Sequence, residues 1–426
     1  TQGVSSAASD VYKRQGLEEG GALAAVSQGI TTIIAGQDGG SPLPLADFFT
    51  RMETATVSVN VAAYVGHNSI RRRVMGDDFR REATLEEIEG MKLLLAGELQ
   101  SGGLGLSTGL EYDPGIYSST DEVVELARSA ASVGGRYISH MRSEDREFFS
   151  ALEELLHIGR ETGIPVQVSH MKLAMKSLWG ETGRVLSMLD AAREEGINVT
   201  ADVYPYEFWQ STMTVLFPGR EFTREAATFA LEELAPPEGM FIAAFGADPS
   251  YVGMSLAEIA EIRGKDAVTV YLELIAEAEA SDGRESIIAR SMTETDIAEL
   301  LSWPYTNVSS DGGLNGRHPR GYGSFTRVLG RHVRERGELL LESAIRKMSS
   351  LAAENTGLLE RGEIREGYFA DLVLFDAETV LDRATPDEPN LPSVGIVGVW
   401  VNGARVYNTE GITGNRPGRV LRRRDN

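Results

Sequence analysis

The sequence predicts an α/β protein, a (β/α)8 TIM-type barrel whose first strand is apparently missing, with a small β domain at the C-terminal end. Three observations predict it. Short β-branched or apolar runs recur, each cut off by an abrupt polar or glycine stop and followed by an amphipathic helical stretch. Seven such runs fit the length, which suits a barrel of parallel strands better than a doubly wound sheet. Beyond Leu359 the texture changes to alternating strands broken by glycine and Asn-Gly turns.

Taken in order, the strands are TTIIAGQD (31–38), VNVAAYVGH (59–67), GLGLST (103–108), RYISH (136–140), VQVSH (166–170), NVTADVYPY (198–206) and NVSSD (307–311). Between them, segments 119–135, 148–163 and 183–196 space apolar residues three and four apart and end near glycine, as helices do. The segment 217–303 is too long for one barrel helix and carries several helical patterns. It is expected to be an insertion, either a lid over the barrel mouth or a set of outer helices. Residues 16–358 then form the barrel and 359–426 the small β domain.

The chain has 426 residues, a net charge of −22 and no cysteine. The acidic balance argues against nucleic acid or an anionic membrane surface as a main partner; charge says nothing about the small-molecule substrate expected here. Without thiolates, any metal must be held by His, Asp or Glu. No apolar run reaches the roughly 20 residues of a membrane span, and a cytoplasmic location is the default expectation.

In such barrels the C-terminal strand ends form the active site, so a polar residue closing a buried strand faces the substrate. His140 and His170 close consecutive strands and are expected to share a metal or an acid/base role. Asp311 ends the last strand and fits a carboxylate that moves a proton from water to a leaving group. Asp38 stands in the same way at the first visible strand. Neutral imidazoles with carboxylates are a zinc ligand set. His157 and His332 lie in helical runs and read as structural.

The motifs GLGLSTGLEYDPG (103–115), YISHMRSE (137–144), VSHMK (168–172), ADVYPY (201–206), SDGGLNGRHPRGYGSFTRVLG (310–330) and GEIREGYFADLVLFD (362–376) resemble, in this order, the N-acyl-D-amino-acid deacylase (D-aminoacylase) family of the amidohydrolase superfamily. The resemblance runs from about Ala22 to Arg422. It implies a zinc hydrolase with a (β/α)8 barrel and a small β-sandwich assembled from both chain ends. It makes His140 and His170 metal ligands and Asp311 the catalytic acid/base. Lys172, Tyr204 and Arg320 would bind the substrate's α-carboxylate, and His67 would line the pocket. The family often carries a cysteine ligand in a Gly-Asn-Cys-Gly setting; Gly36-Gln37-Asp38-Gly39 stands here, with Asp38 at the matching position.

The family's His-x-His pair and preceding sandwich strands do not occur in the sequence. The segment SSAASDVYKRQ (5–15) resembles the translation of a transposase adapter used in sequencing, so residues 1–15 are expected to be an artefactual or disordered tail. On that reading the intact protein would hold one or two zinc ions and this chain at most one. Two other readings stay open: a metal-free lyase using the two histidines as acid and base, and a non-catalytic barrel that only binds.

Overall fold

The computed structural model describes residues 2–4, 17, 22–281, 284–314 and 316–423. Its centre is a run of parallel strands: β1 (Gln2–Val4), β2 (Thr32–Ala35), β3 (Asn60–Ala63), β4 (Val65–Gly66), β5 (Gly105–Gly109), β6 (Arg136–His140), β7 (Val166–Val168) and β8 (Val199–Val203). All seven runs expected to be strands are strands, the last of them as Thr306–Val308, paired in parallel with β8. Two hydrogen-bonded groups make up the run, β1-β2-β3 and β4 through β8 with Thr306–Val308. The amide of Leu104 bonds the Ala63 carbonyl at 2.9 Å, which links them. Strands β2 to β8 are almost wholly buried, so their near-continuous apolar runs face packed layers on both sides. Helices fill the connections, among them Leu85–Gln100, whose start is fixed by a capping box of Thr84 and Glu87.

Of the stretch 1–15, expected to be a tail, only Gln2–Val4 are described, and they pair in parallel with β2 through Gln2 and Thr32, Gly3 and Ile33, Val4 and Ile34. The rest of that stretch lies outside the described residues.

The segment 217–303, expected to carry helical patterns, also contains β10 (Met240–Phe245) and β11 (Glu285–Arg290). They form an antiparallel sheet with β9 (Phe208–Ser211), in the order β10-β11-β9. These strands are short and lie among stronger helical patterns, and long-range pairing decides them. The helix Glu294–Ser302, placed by expectation inside the insertion, leads instead into β12 (Thr306–Val308).

The C-terminal β domain is a meander of β13 (Leu372–Phe375), β14 (Ile396–Val401), β15 (Ala404–Asn408) and β16 (Gly411–Ile412). The last described residues leave it. Gly418, Leu421 and Arg423 donate their amides to the carbonyls of Val57, Val61 and Gly102, lying along the strands of the main sheet.

Candidate active site

The loops after the C-terminal ends of β2, β5, β6, β7 and β12 converge on one buried cavity. His140 is the last residue of β6, and His170, Asp38 and Asp311 follow their strands by two or three residues. Asp38, His170 and Asp311 are three of the eight non-glycine residues with positive φ among those described, at 52°, 34° and 46°. L-residues adopt that region at a cost, and such backbone clusters where a side chain must be aimed. The Asp38 turn depends on its glycines. A Cβ at Gly36 would meet the Tyr64 carbonyl oxygen at 2.1 Å, and one at Gly39 the Asn68 Oδ1 at 2.3 Å.

The His170 turn is held from below by Asp202, at the end of β8. Its Oδ1 accepts the His170 amide at 2.9 Å and its Oδ2 accepts from Gln167 Nε2 at 2.6 Å. Burial raises the Asp202 pKa against the pull of these bonds.

The two imidazoles meet at a common point. His140 Nδ1 lies 3.1 Å from His170 Nε2, and Asp38 Oδ1 lies 3.3 Å from the same His170 nitrogen. The opposite nitrogen of each ring is engaged by a carboxylate, His140 Nε2 by Glu111 at 2.8 Å and His170 Nδ1 by Glu144 at 3.0 Å. One carboxylate oxygen and two imidazole nitrogens, all within 4.8 Å of one another and all buried, could hold a metal ion; Glu111, His140 and Glu144 form a second such group. The expected set Asp38, His140 and His170 is therefore brought together.

Lys172 donates to Glu144 at 2.5 Å and approaches His170 Nδ1 at 2.6 Å. Burial opposes ionisation of Glu144, but Lys172, His140 and His170 together hold it well below the usual carboxylate range. Burial and Lys172 work against a charged His170. The carboxylates of Asp38, Glu144 and Asp311 outweigh them, and its pKa stands well above the ordinary value. Arg320 pairs with Asp311. The ring of Tyr204 lies near both cations, its centroid 4.6 Å from the Arg320 guanidinium carbon and 5.9 Å from Lys172 Nζ, and burial lifts its phenol well above the usual range.

His67 does not line this cavity. It opens the helix His67–Met75 and turns to Glu122, which its Nε2 meets at 2.7 Å with Arg71 alongside. The chain passes from strand to helix at Gly66, so this side chain packs against the neighbouring helix. His332 is bonded to Glu338 and His157 lies within the helix Phe148–Thr162, away from the site.

Sequence reasoning missed Glu111, Glu144, Asp202 and His318. Glu111 and Glu144 lie inside motifs already singled out, in GLEYDPG and SHMRSE, but nothing local distinguishes them from surface acids. His318 accepts the Arg320 amide at its Nδ1 (3.0 Å), so its Nε2 donates to the Phe208 carbonyl at 2.9 Å. Burial and Arg320 hold it neutral, with its pKa well below the ordinary value. It thus fixes the start of the Arg320 helix against β9.

Parallel strands whose C-terminal ends carry a buried His-His-Asp cluster beside a carboxylate define a metal-dependent hydrolase of the amidohydrolase class. The amidohydrolase family model matches residues 254–407. The chain is 37% identical to N-acyl-D-glutamate deacylase of Alcaligenes xylosoxydans xylosoxydans, over 93% of this chain and 81% of that one. It is 35% identical to D-aminoacylase of the same organism, over 93% and 82%. Among solved structures, D-aminoacylase superposes with a TM-score of 0.86 at 34% identity, covering 99% of this chain and 88% of that one. N-acyl-D-glutamate deacylase from Bordetella bronchiseptica, complexed with zinc and a phosphonate mimic of the tetrahedral intermediate, superposes with a TM-score of 0.87 at 35% identity, covering 99% and 87%. The chain belongs to the N-acyl-D-amino-acid deacylase family.

Proposed function

We propose that this protein is a zinc-dependent deacylase that hydrolyses N-acyl-D-amino acids to a carboxylate and a free amino acid, on a parallel strand run closed as a (β/α)8 barrel. The observation that carries the reading is the convergence of Asp38, His140 and His170 on one point, with Asp311 and the Lys172–Arg320 pair of cations lining the same cavity. The relatives supply the direction: deacylases of N-acyl-D-amino acids, one solved with zinc and a phosphonate inhibitor.

The donor set fits zinc. Its nitrogen and oxygen atoms are those zinc takes in the absence of thiolates, and each imidazole has its far nitrogen held by a carboxylate, the arrangement that orients a ligand histidine. Asp38, His140 and His170 would hold the zinc, which when bound would supply the Lewis acidity that makes a water nucleophilic at neutral pH and polarises the acyl carbonyl.

The remaining steps fall to the chain's own groups. Asp311 Oδ takes the proton of the attacking water and delivers it to the amide nitrogen as the C–N bond breaks. Lys172, Tyr204 and Arg320 receive the α-carboxylate, the guanidinium pairing with both oxygens. As Arg320 turns to that carboxylate, Asp311 is released from its ion pair to act as base.

The test is an assay of the zinc-loaded protein on N-acetyl-D-amino acids and their L-enantiomers. Release of the free D-amino acid, abolished by a chelator and restored by zinc, is the expected result. Turnover that survives the chelator would point to acid/base chemistry of the two histidines instead, and no hydrolysis of any N-acyl-D-amino acid would overturn the reading.

A further inference from the structure

A second cavity, of about 200 Å³, lies at the other end of the parallel strands. Arg136 opens β6 and His140 closes it, so the strand that delivers a histidine to the catalytic cavity delivers an arginine to this one. The starts of β7 and β8 contribute Gln167 and Thr200. Arg193 enters from the last turn of the helix Thr182–Glu194, Arg346 from the helix Leu341–Met348, and Glu354 and Asn355 from the helix Ser350–Thr356. Three guanidinium groups and one carboxylate therefore line it, the reverse of the balance in a chain of net charge −22.

The arginines are held by carbonyls more than by carboxylates. Arg136 Nη1 donates to the Asn355 carbonyl at 3.1 Å and Arg193 Nη1 to the Val199 carbonyl at 2.6 Å. The Arg193 guanidinium carbon also lies 3.4 Å from the centre of the Tyr305 ring, which keeps its fork flat. Both side chains belong to half-buried residues, and among the described residues neither is ion-paired with an acid. Arg346 meets Glu354 only at 3.8 Å. The buried polar floor is already committed: Gln167 Nε2 donates to Asp202, Thr200 Oγ1 to Gln167 Oε1, and Asn355 Nδ2 to Asn307. The uncommitted donors of the cavity are thus N–H groups of the arginines, five on each guanidinium. Half-buried cations lose hydration, and an anion between them restores what the protein's own acids do not.

We infer that this cavity is a binding site for a phosphate group, separate from the catalytic cavity, with Arg136, Arg193 and Arg346 as its donors. A phosphate carries up to about two charges at neutral pH and presents oxygens in several directions, so it can take guanidinium forks from three elements at once. A carboxylate has one charge and two oxygens in one plane, and a single fork satisfies it. The inference does not depend on the deacylase reading.

The experiment is a calorimetric titration of the zinc-loaded protein, freed of excess zinc, with inorganic phosphate at low ionic strength. Binding is expected, and Arg193→Gln and Arg346→Gln should each weaken it by about tenfold or more, the effect of losing one charge-assisted hydrogen bond, with zinc content unchanged. The Arg346 side chain is 51% exposed, so its variant leaves the core intact. No binding by the unaltered protein, or unchanged affinity in Arg346→Gln, would overturn the inference. Arg320→Gln, in the catalytic cavity, should keep the affinity; loss in that variant alone would place the phosphate among the catalytic groups and overturn the inference as well. Acetate binding as tightly as phosphate would overturn the choice of phosphate. Glycerol phosphate separates the two sources of the group: tighter binding than inorganic phosphate makes the ligand an ester whose remainder also fills the cavity, and weaker binding makes it the free ion, either result upholding the site.

Discussion

His140 Nδ1 and His170 Nε2 face each other across 3.1 Å, and each ring is pinned from behind, by Glu111 and Glu144 respectively. The carboxylates choose which nitrogen of each ring is presented. Burial raises the Glu111 pKa, against the pull of its bond to His140.

Replacing Glu111 with Gln should therefore weaken zinc binding by about 10- to 100-fold, the usual effect of losing a carboxylate behind a ligand histidine. Competition with a chromophoric chelator measures it directly. Affinity equal to that of the unaltered protein would show that His140 needs no such support.

Asp311→Asn should leave zinc content intact while lowering kcat/KM by about 10²- to 10⁴-fold, the range for loss of a positioned proton carrier. Metal analysis beside steady-state kinetics separates the two effects. Loss of zinc together with activity would make Asp311 a ligand first.

Asp202 gives both its oxygens to buried donors, the His170 amide and the Gln167 side chain. Asp202→Ala strands two buried donors, and stability should fall by about 2 kcal/mol or more. Urea unfolding of the two proteins tests this, and an unchanged midpoint would exclude it.

Glu285, on β11, has a pKa raised to about 7 by burial, against the pull of the backbone amides of Met213 and Thr214. Its folded pKa lies above its unfolded value near 4.5, so the folded state binds the extra proton between those limits. Its contribution is full below pH 4.5 and is lost as pH rises through 7, a change of up to about 3 kcal/mol. Glu285→Gln should flatten the fall in stability between pH 5 and 8, read from urea midpoints at each pH. An identical slope in the variant would remove Glu285 as its source.

The strands were legible because a buried parallel strand is a short apolar run with a sharp end, a pattern carried within the run itself. The same pattern, with Asp38 added by the family resemblance, gave His140 and His170 as a pair, since consecutive strands deliver their ends to one side. It failed at β9, β10 and β11, which are strands by pairing with each other more than by composition. It also failed at His67, where a strand end became a helix start and the imidazole went to Glu122.

By itself, then, the sequence determined which residues close the strands, and so which side chains meet at one end of the sheet. Only the tertiary structure decided which acids beyond Asp38 and Asp311, among the 63 aspartates and glutamates, belong to the site. Glu111, Glu144 and Asp202 act through partners about 30 residues away, and a carboxylate's role is set by what lies within hydrogen-bond reach of it. The left-handed backbone at Asp38, His170 and Asp311 is decided in the same way, because strained conformations persist only where the surrounding fold holds them.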